Sequence, residues 1–307
     1  MSKKLKIGTR ESQLALWQAQ WVQDGLAKAG IESELVLIKS DGDIDLVTPL
    51  YALGVQGVFT KTLDAALLSG KIDIAVHSMK DVPTQLAQGI AQAAVLKRAS
   101  YKDLFVCKNV QNQEGLNAAG LAIATSSIRR KAQWLHRYPS HTIENLRGNV
   151  NTRLRKVAES NWAGAIFAAA GLERINLRPE QAIELDWMLP APAQGAVMVV
   201  CKEEDVETKK MCSVLHDEPT AICVQEERDF LKTLMGGCST PISALAEIKT
   251  GMLHFKGNIF SLDGKQKLEI EKQIPLAEAM SVGTNAANEL LNKGARELTE
   301  QIRNAAR

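Results

Sequence analysis

Apolar residues follow two patterns in the first hundred positions: short continuous runs and longer stretches with helical spacing. The runs predict strands at 5–9, 33–39 and 72–76. Between the first two runs, Leu14, Trp17, Trp21 and Val22 share one face of a predicted helix. A second helix is predicted near 59–68.

The same alternation resumes after about residue 100. It predicts strands within 103–107, 121–125, 141–146 and 164–171, with helices over 127–138 and from about 150. Alternating strands and helices are typical of α/β folds, in which helices cover both faces of parallel or mixed sheets. The break at 97–102 predicts a hinge between two doubly wound lobes.

The pattern changes from about residue 218. A helical segment at 219–234 is followed by short strands with a hairpin at Asp263-Gly264, and then by a long amphipathic helix from about 276. This part of the chain predicts a third, smaller α+β domain.

Polar side chains follow the predicted strands. His77, Ser78, Lys80 and Asp81 come after the run at 72–76, and the segments LKIGTRES, LAIATSSIRR and TIENLRGNVNTR repeat the arrangement. In doubly wound folds, ligands bind at the carboxyl ends of the strands. The four segments therefore predict one binding cleft between two lobes.

Composition narrows the class of protein. The chain has 307 residues, 45% of them hydrophobic, and a formal net charge of only +2, so no global field favours nucleic acid or a membrane. No apolar run follows the first lysines or approaches the length of a membrane span, so we expect neither a secretory signal nor a transmembrane helix. Five cysteines without a C-x-x-C pattern predict a reduced, cytosolic setting. The sequence predicts no metal site, and it has no phosphate-binding loop motif.

Positive charge is concentrated at 124–156, where eight lysines and arginines face one acid, Glu144. This cluster predicts a partner with several negative charges. For Arg137, Arg155 and Lys156 a solvated helix face is the favoured interpretation. The remaining arginines lie at strand-to-helix turns suited to carboxylates or phosphates: Arg129, Arg130, Arg147 and Arg153. Nucleic acid is the weaker choice, because only Trp134 and Tyr138 could stack on bases nearby.

The sequence allows two interpretations for each of three candidate residues. Asp81 is either an acid that stabilises developing positive charge or a helix N-cap or turn residue. His77 is favoured as a structural histidine over a base. Cys238, in the segment MGGCSTP, is either a nucleophile on an open loop or, by composition alone the favoured option, an inert thiol.

Seven motifs in order along nearly the whole chain resemble the porphobilinogen deaminase (hydroxymethylbilane synthase) family. They are GTRESQLAL (8–16), AVHSMKDVP (75–83), TSSIRR (125–130), LRGNVNTRL (146–154), AAGLER (169–174), PAQGA (192–196) and GGCSTPI (236–242). The resemblance implies two lobes like type II periplasmic binding proteins and a small C-terminal domain. The expected boundaries are 1–98 with 196–217, then 102–193, then 218–307.

The resemblance also implies a transferase of haem-type tetrapyrrole biosynthesis, which condenses four porphobilinogen molecules into hydroxymethylbilane and releases ammonia. It implies a dipyrromethane cofactor joined by a thioether to Cys238, and a catalytic Asp81 that contacts pyrrole nitrogens, stabilises the cationic intermediate and assists proton transfer. The implied substrate- and cofactor-binding residues are Arg10, Ser12, Phe59, Ser78, Lys80, Thr125, Ser126, Ser127, Arg129, Arg130, Arg147, Arg153, Arg174 and Gln194. The family suggests a cytoplasmic monomer whose partner is a small molecule, not nucleic acid or a membrane.

One segment departs from the family pattern. Where the family commonly has Lys-x-Gly-Gly-Lys-Gly before the aromatic position, this chain has Ala52, Gln56 and no lysine between them. The departure keeps a second hypothesis open: a non-catalytic, two-lobed module that captures a polycarboxylate and has no use for Cys238.

Overall fold

A computed structural model describes residues 4–39, 60–108, 114–234 and 240–305. The strands are β1 (Leu5–Thr9), β2 (Ser33–Leu37), β3 (Ile74–Ser78), β4 (Ile90–Val95), β5 (Asp103–Cys107), β6 (Ala122–Ala124), β7 (Thr142–Glu144), β8 (Gly164–Ala168), β9 (Ile183–Glu184), β10 (Val197–Lys202), β11 (Ile242–Lys249), β12 (Met252–Phe260) and β13 (Lys267–Pro275). The helices are α1 (Gln13–Lys28), α2 (Lys61–Leu68), α3 (Ile128–Arg137), α4 (Val150–Glu159), α5 (Ala169–Glu173), α6 (Val206–Cys212), α7 (Glu218–Thr233), α8 (Val282–Leu290) and α9 (Arg296–Ala305). Among the described residues, no helix combines the length and the apolar character needed to cross a membrane.

The described residues form two compact units. The first unit joins those up to Ala99 with Gly195–Ala221, and the second joins those of Ser100–Gln194 with those from Ile222 onward. The division of the chain into three domains remains a prediction.

The first unit is built on a mixed five-stranded sheet in the order β2-β1-β3-β10-β4. β1 runs parallel to β2 and β3, whereas β10 runs antiparallel to β3 and β4. Leu5 and Ile7 of β1 pack in a core with Val22 of α1. Gly8 points to the opposite face, where a Cβ would lie 3.2 Å from Leu63 of α2. Helices therefore cover both faces of this sheet.

The buried face of α1 includes only part of the expected one: Val22 is in the core and Trp21 packs against it. Its buried residues are Gln18, Ala19, Val22 and Leu26, whereas Trp17 is 37% exposed. Gln18 is buried despite its polarity because its side-chain amide forms hydrogen bonds with Ser78, as described below.

The second unit contains another mixed five-stranded sheet, in the order β7-β6-β8-β5-β9. β6 is parallel to β7 and β8, while β5 is antiparallel to β8 and β9. On one face, Phe105 of β5 packs in a core with Trp134 of α3, and on the other, Phe167 of β8 packs with Val157 of α4. Together with the α+β part below, these two sheets confirm the fold class expected from the sequence.

The C-terminal part of the second unit has its own core, around Phe230 of α7 and Phe255 of β12. The antiparallel sheet β11-β12-β13 confirms the predicted hairpin, and Gly264 has the positive φ (74°) that its turn requires. The expected single helix from 276 is wrong. The helical region begins with a short turn at Leu276–Glu278, and Gly294, with φ 110°, separates α8 from α9 because a left-handed residue interrupts the helical path.

Candidate functional site

In the first unit, β3 ends two residues later than the sequence predicts. His77 and Ser78 belong to the strand, opposite Met198 and Val197 of β10, and a 3-10 turn covers Met79–Asp81. Because side chains alternate along a strand, His77 and Ser78 point to opposite faces of the sheet. The two polar residues therefore serve different neighbours.

His77 lies on the face covered by α2. It is 7% exposed, and burial, followed by the positive charge of Arg10, lowers its pKa to about 4. The imidazole is therefore neutral at neutral pH, as expected of a structural histidine. Within the described parts of the chain its buried Nε2 has no hydrogen-bond partner, and the ring lines a cavity of about 310 Å³ together with Thr60 and Asp64.

Ser78 lies on the face covered by α1. Its hydroxyl accepts a hydrogen bond from Gln18 Nε2 (2.9 Å) and lies 3.3 Å from Gln18 Oε1. Ser12 is the N-cap of α1, where its Oγ accepts from the backbone N–H of Ala15 at 3.4 Å. Arg10 lies between β1 and α1. Because β1 and β3 are parallel neighbours, the predicted residues after each strand lie at the same edge of the sheet.

Asp81 is the last residue of the 3-10 turn, whose N-cap is Ser78, so Asp81 is a turn residue and not an N-cap. The side chain is only partly buried, and within the described residues its carboxylate forms no hydrogen bond or ion pair. Lys80, also partly buried, precedes it. The carboxylate is therefore available to a ligand.

In the second unit, serine, threonine and asparagine side chains organise the starts of two helices. Ser127 caps α3 by accepting from the N–H of Arg130, and Thr125 Oγ1 accepts from Ser127 N at 3.2 Å. Ser126 Oγ accepts from the backbone N–H of Leu146 at 3.0 Å and so ties the turn after β6 to the turn after β7. Asn149 caps α4. The predicted arginines project from these fixed turns.

Arg129 and Arg130 are 4% and 6% exposed, and both converge on Asp103. Arg129 Nη2 lies 2.7 Å from Oδ2 of Asp103, while Nε and Nη2 of Arg130 donate to Oδ1 at 3.1 and 2.7 Å. Burial lowers the pKa of the Arg129 guanidinium, and the opposing charge of Asp103 partly offsets this. Within the described residues, the buried Nε of Arg129 has no hydrogen-bond partner.

The remaining arginines of the predicted set lie at the same edge. Arg147 is 4% and Arg174 8% exposed, and burial lowers the pKa of Arg174 to about 10. Arg153 Nε donates to the carbonyl of Gly148 at 2.7 Å. Because β6, β7 and β8 are parallel neighbours, the arginines after their carboxyl ends are brought to one edge of the sheet.

The other cations of the cluster have ordinary contacts. Arg155 is exposed and faces Glu159 across 4.0 Å, as expected of a solvated residue. The Arg137 guanidinium lies over the ring of Trp187, 5.0 Å from its centroid. Lys156 Nζ donates to the backbone carbonyl of Arg147 at 3.2 Å. Trp134 and Tyr138 are buried in the core, so neither offers an exposed stacking surface.

Asp103 was missed at the sequence level. It is the first residue of β5 and is fully buried. Because β5 runs antiparallel to β8, Asp103 lies opposite Ala168, the last residue of β8. An aspartate opening an apolar strand is the signal that could have found it, since a buried charge needs a partner. Gln194, which was predicted, is also fully buried, and its Nε2 donates to Asp103 Oδ1 at 2.9 Å. Phe59 and Cys238 lie outside the described residues.

The chain is similar to proteins of one family over nearly its whole length. Residues 5–210 match the family model described as porphobilinogen deaminase, dipyromethane cofactor binding domain, and residues 221–292 match the porphobilinogen deaminase C-terminal domain. A porphobilinogen deaminase of Chlorobium phaeobacteroides (strain BS1) is 40% identical over 312 residues, covering 99% of both chains. That of Syntrophotalea carbinolica (strain DSM 2380) is 42% identical over 298 residues, covering 96% of this chain and 94% of its own.

Solved structures provide a more distant comparison. The crystal structure of the methionine binding protein MetQ is 16% identical, covers 73% of this chain and 96% of its own, and has a TM-score of 0.45.

Proposed function

Because the chain belongs to the porphobilinogen deaminase family, we propose that it condenses four porphobilinogen molecules head to tail into hydroxymethylbilane and releases one ammonia at each step. It is therefore a transferase of tetrapyrrole biosynthesis. The observation that carries the proposal is that the chain has both an available carboxylate, Asp81, at a strand end of the first unit and buried arginines at strand ends of the second. The family match does not favour a polycarboxylate-binding module without catalysis.

The buried arginines fit a dipyrromethane that carries carboxylates. Arg129, Arg130 and Asp103 together hold one net positive charge in a buried place, and Arg129 Nε is a donor without a partner among the described residues. Burying such charge is costly unless a further anion compensates it. When bound, the cofactor supplies the pyrrole carbon to which the first substrate is joined. We propose Cys238, within the family motif, as its point of attachment.

Asp81 would act on the reacting pyrrole. Loss of ammonia from porphobilinogen leaves positive charge on the ring, and a nearby carboxylate stabilises that charge as it develops. The same carboxylate can accept a hydrogen bond from a pyrrole N–H and transfer a proton. The free carboxylate at the end of the Met79–Asp81 turn suits this role, because a protein cation does not already neutralise it among the described residues.

The acetate and propionate groups of each pyrrole need cationic and neutral donors. Guanidinium groups bind carboxylates through two parallel hydrogen bonds, which fixes orientation as well as charge. We propose that the substrate and cofactor contact Arg10, Ser12, Phe59, Ser78, Lys80, Thr125, Ser126, Ser127, Arg129, Arg130, Arg147, Arg153, Arg174 and Gln194, either directly or through one another.

We further propose that the protein works as a cytoplasmic monomer whose partner is a small molecule and which needs neither nucleic acid nor a membrane. The cysteines of the described residues are free thiols, which supports the reducing setting of the cytoplasm. Light scattering of the cofactor-bearing protein should give the mass of one chain.

Intact mass spectrometry tests the proposed function. Protein purified from cells that make tetrapyrroles should carry the additional mass of two pyrrole units, and Cys238→Ala should remove it. Cys107→Ala, at a half-buried thiol whose pKa burial raises, is the matched control and should keep the added mass. An unmodified wild-type chain that binds porphobilinogen without turnover would instead establish the binding module.

A further inference from the structure

We propose that Asp103 is a positioning residue that holds Arg129, Arg130 and Gln194 in one fixed arrangement toward the carboxylates of the bound pyrroles. This inference rests on the proposed function and adds to it a residue absent from the seven motifs that identify the family. Asp103 is fully buried, so it acts through its neighbours.

The convergence of two consecutive arginines requires a common partner. Neighbouring residues on a helix point in directions about 100° apart, so the side chains of Arg129 and Arg130 would diverge without one. Asp103 provides it, because its two oxygens face different arginines: Oδ2 faces Arg129 and Oδ1 faces Arg130. Arg130 is fixed further by Nη1, which donates to the carbonyl of Ile166 at 2.9 Å.

Two contacts fix the orientation of the Arg129 guanidinium, and with it the direction of its remaining N–H donors. Its Nη1 donates to the carbonyl of Leu189 at 2.7 Å, and its Nη2 is paired with Asp103. With both ends of the guanidinium held, the plane of the group is set before a ligand binds. Such preorganisation lets binding energy go into orienting the substrate rather than ordering the side chain.

Asp103 also sets the charge of the arrangement. Burial lowers the pKa of Arg129, the carboxylate of Asp103 opposes this change, and the positive charge of Arg130 adds to it. One acid against two guanidinium groups leaves a single positive charge, which one ligand carboxylate would neutralise. Without Asp103 the arrangement would still attract anions, and more strongly, but it would no longer hold them in one orientation.

A second buried carboxylate fixes the segment that carries Gln194. Glu227 of α7 is fully buried, and its two oxygens accept from the backbone N–H groups of Ala193 (2.7 Å) and Ala246 (2.8 Å). Ala193 has φ 61°, a left-handed conformation that a non-glycine residue adopts only where its surroundings hold it. Gln194 therefore reaches Asp103 from a backbone that is itself held in place.

Steady-state kinetics of Asp103→Asn test the inference. The substitution keeps the shape and removes the charge, so kcat per cofactor-bearing molecule should fall by about tenfold or more while KM for porphobilinogen stays the same or decreases. Inorganic phosphate should inhibit this variant at least as strongly as the wild type, because the arrangement becomes more positive. Asp186→Asn, at an exposed aspartate paired with Lys102 in the same unit, is the matched control and should leave both constants unchanged.

A purely structural role for Asp103 predicts a different result: a lower yield or melting temperature, with wild-type kcat in the molecules that carry cofactor. That result would overturn the inference. If Asp103→Asn does not accumulate as folded protein, Gln194→Met decides the matter, since it removes one donor to Asp103 and keeps both arginines. We then expect kcat to fall about fivefold with KM unchanged, and wild-type kcat would overturn the inference. Absence of product from the wild type would count against the proposed function instead.

Discussion

In both units the candidate residues follow the carboxyl ends of parallel strands, but the charged groups at the two edges differ in kind and burial. The edge of the first unit presents a partly buried acid, Asp81, together with neutral hydroxyl groups and two partly buried cations, Arg10 and Lys80. The edge of the second unit presents buried arginines that share one carboxylate, Asp103. Under the proposed function the two edges have different tasks: the first stabilises a cationic intermediate through Asp81, and the second binds and orients polycarboxylates.

The largest effect should come from Asp81. Asp81→Asn should lower kcat by about a hundredfold or more, because the amide can neither stabilise positive charge nor transfer a proton. Cofactor loading and melting temperature should stay at wild-type values, since the carboxylate has no partner among the described residues. The rate of product formation measures kcat, intact mass measures cofactor loading, and thermal unfolding measures the melting temperature. Asp24→Asn, at an exposed position of α1, is the control. Substantial turnover by Asp81→Asn would show that the first edge is not the chemical one.

The next effect concerns binding at the second edge. Arg174→Met should raise KM for porphobilinogen and lower kcat/KM by about tenfold or more, because a charge-assisted hydrogen bond to a substrate carboxylate is lost. Arg178→Met removes an exposed arginine that bridges Glu173 and Glu184, and it should leave both constants unchanged. If Arg174→Met lowers kcat and leaves KM unchanged, the second edge takes part in the chemical step as well as in binding.

His77 should make the first unit sensitive to acid. Its pKa of about 4 in the folded chain lies below the ordinary histidine value of 6.5, so the unfolded chain binds more protons between these two pH values. Folding stability should therefore fall as pH decreases from 6.5 to 4, by about 2 kcal/mol at pH 5. Melting temperatures at pH 7 and pH 5 should differ less for His77→Gln than for the wild type. Equal differences would mean that the imidazole has the same pKa in the folded and the unfolded chain, which would contradict its burial as a neutral group.

The smallest effect should come from an exposed cation of the second unit. Arg155→Gln removes the distant pair with Glu159, and such surface pairs contribute about 0–1 kcal/mol. The kinetic constants and the melting temperature should stay within error of the wild type. A clear loss of substrate affinity would mean that the second edge binds substrate through its total positive charge and not through buried, oriented arginines.

Local patterns were sufficient to predict the strand–helix alternation and the turns that carry the arginines, because apolar runs and capping residues act over a few positions. They could not predict the return of β10 to a place between β3 and β4, which depends on contacts distant in sequence. The two-residue error at the end of β3 has the same origin. Pairing with Met198 and Val197 extends the strand through His77 and Ser78, although these residues are polar.

The candidate site shows a similar limit. Arginines stand out in a sequence because they are grouped near glycine and serine. Asp103 is a lone acid beside an apolar run, and its importance depends on the antiparallel pairing of β5 with β8, which brings the start of β5 to the carboxyl end of β8. The choice between Trp17 and Gln18 as the buried residue of α1 likewise depends on a partner, Ser78, sixty positions away.

The late arrival of β10 has a consequence for biosynthesis of the chain. About a hundred residues separate β4 from β10, and ribosomes add roughly 5–20 residues per second, so β3 and β4 lack their shared neighbour for about 5–20 s. During this interval both nascent strands expose unpaired backbone groups, which are templates for intermolecular pairing. A polypeptide released before Val197 should consequently be prone to precipitation and dependent on chaperones.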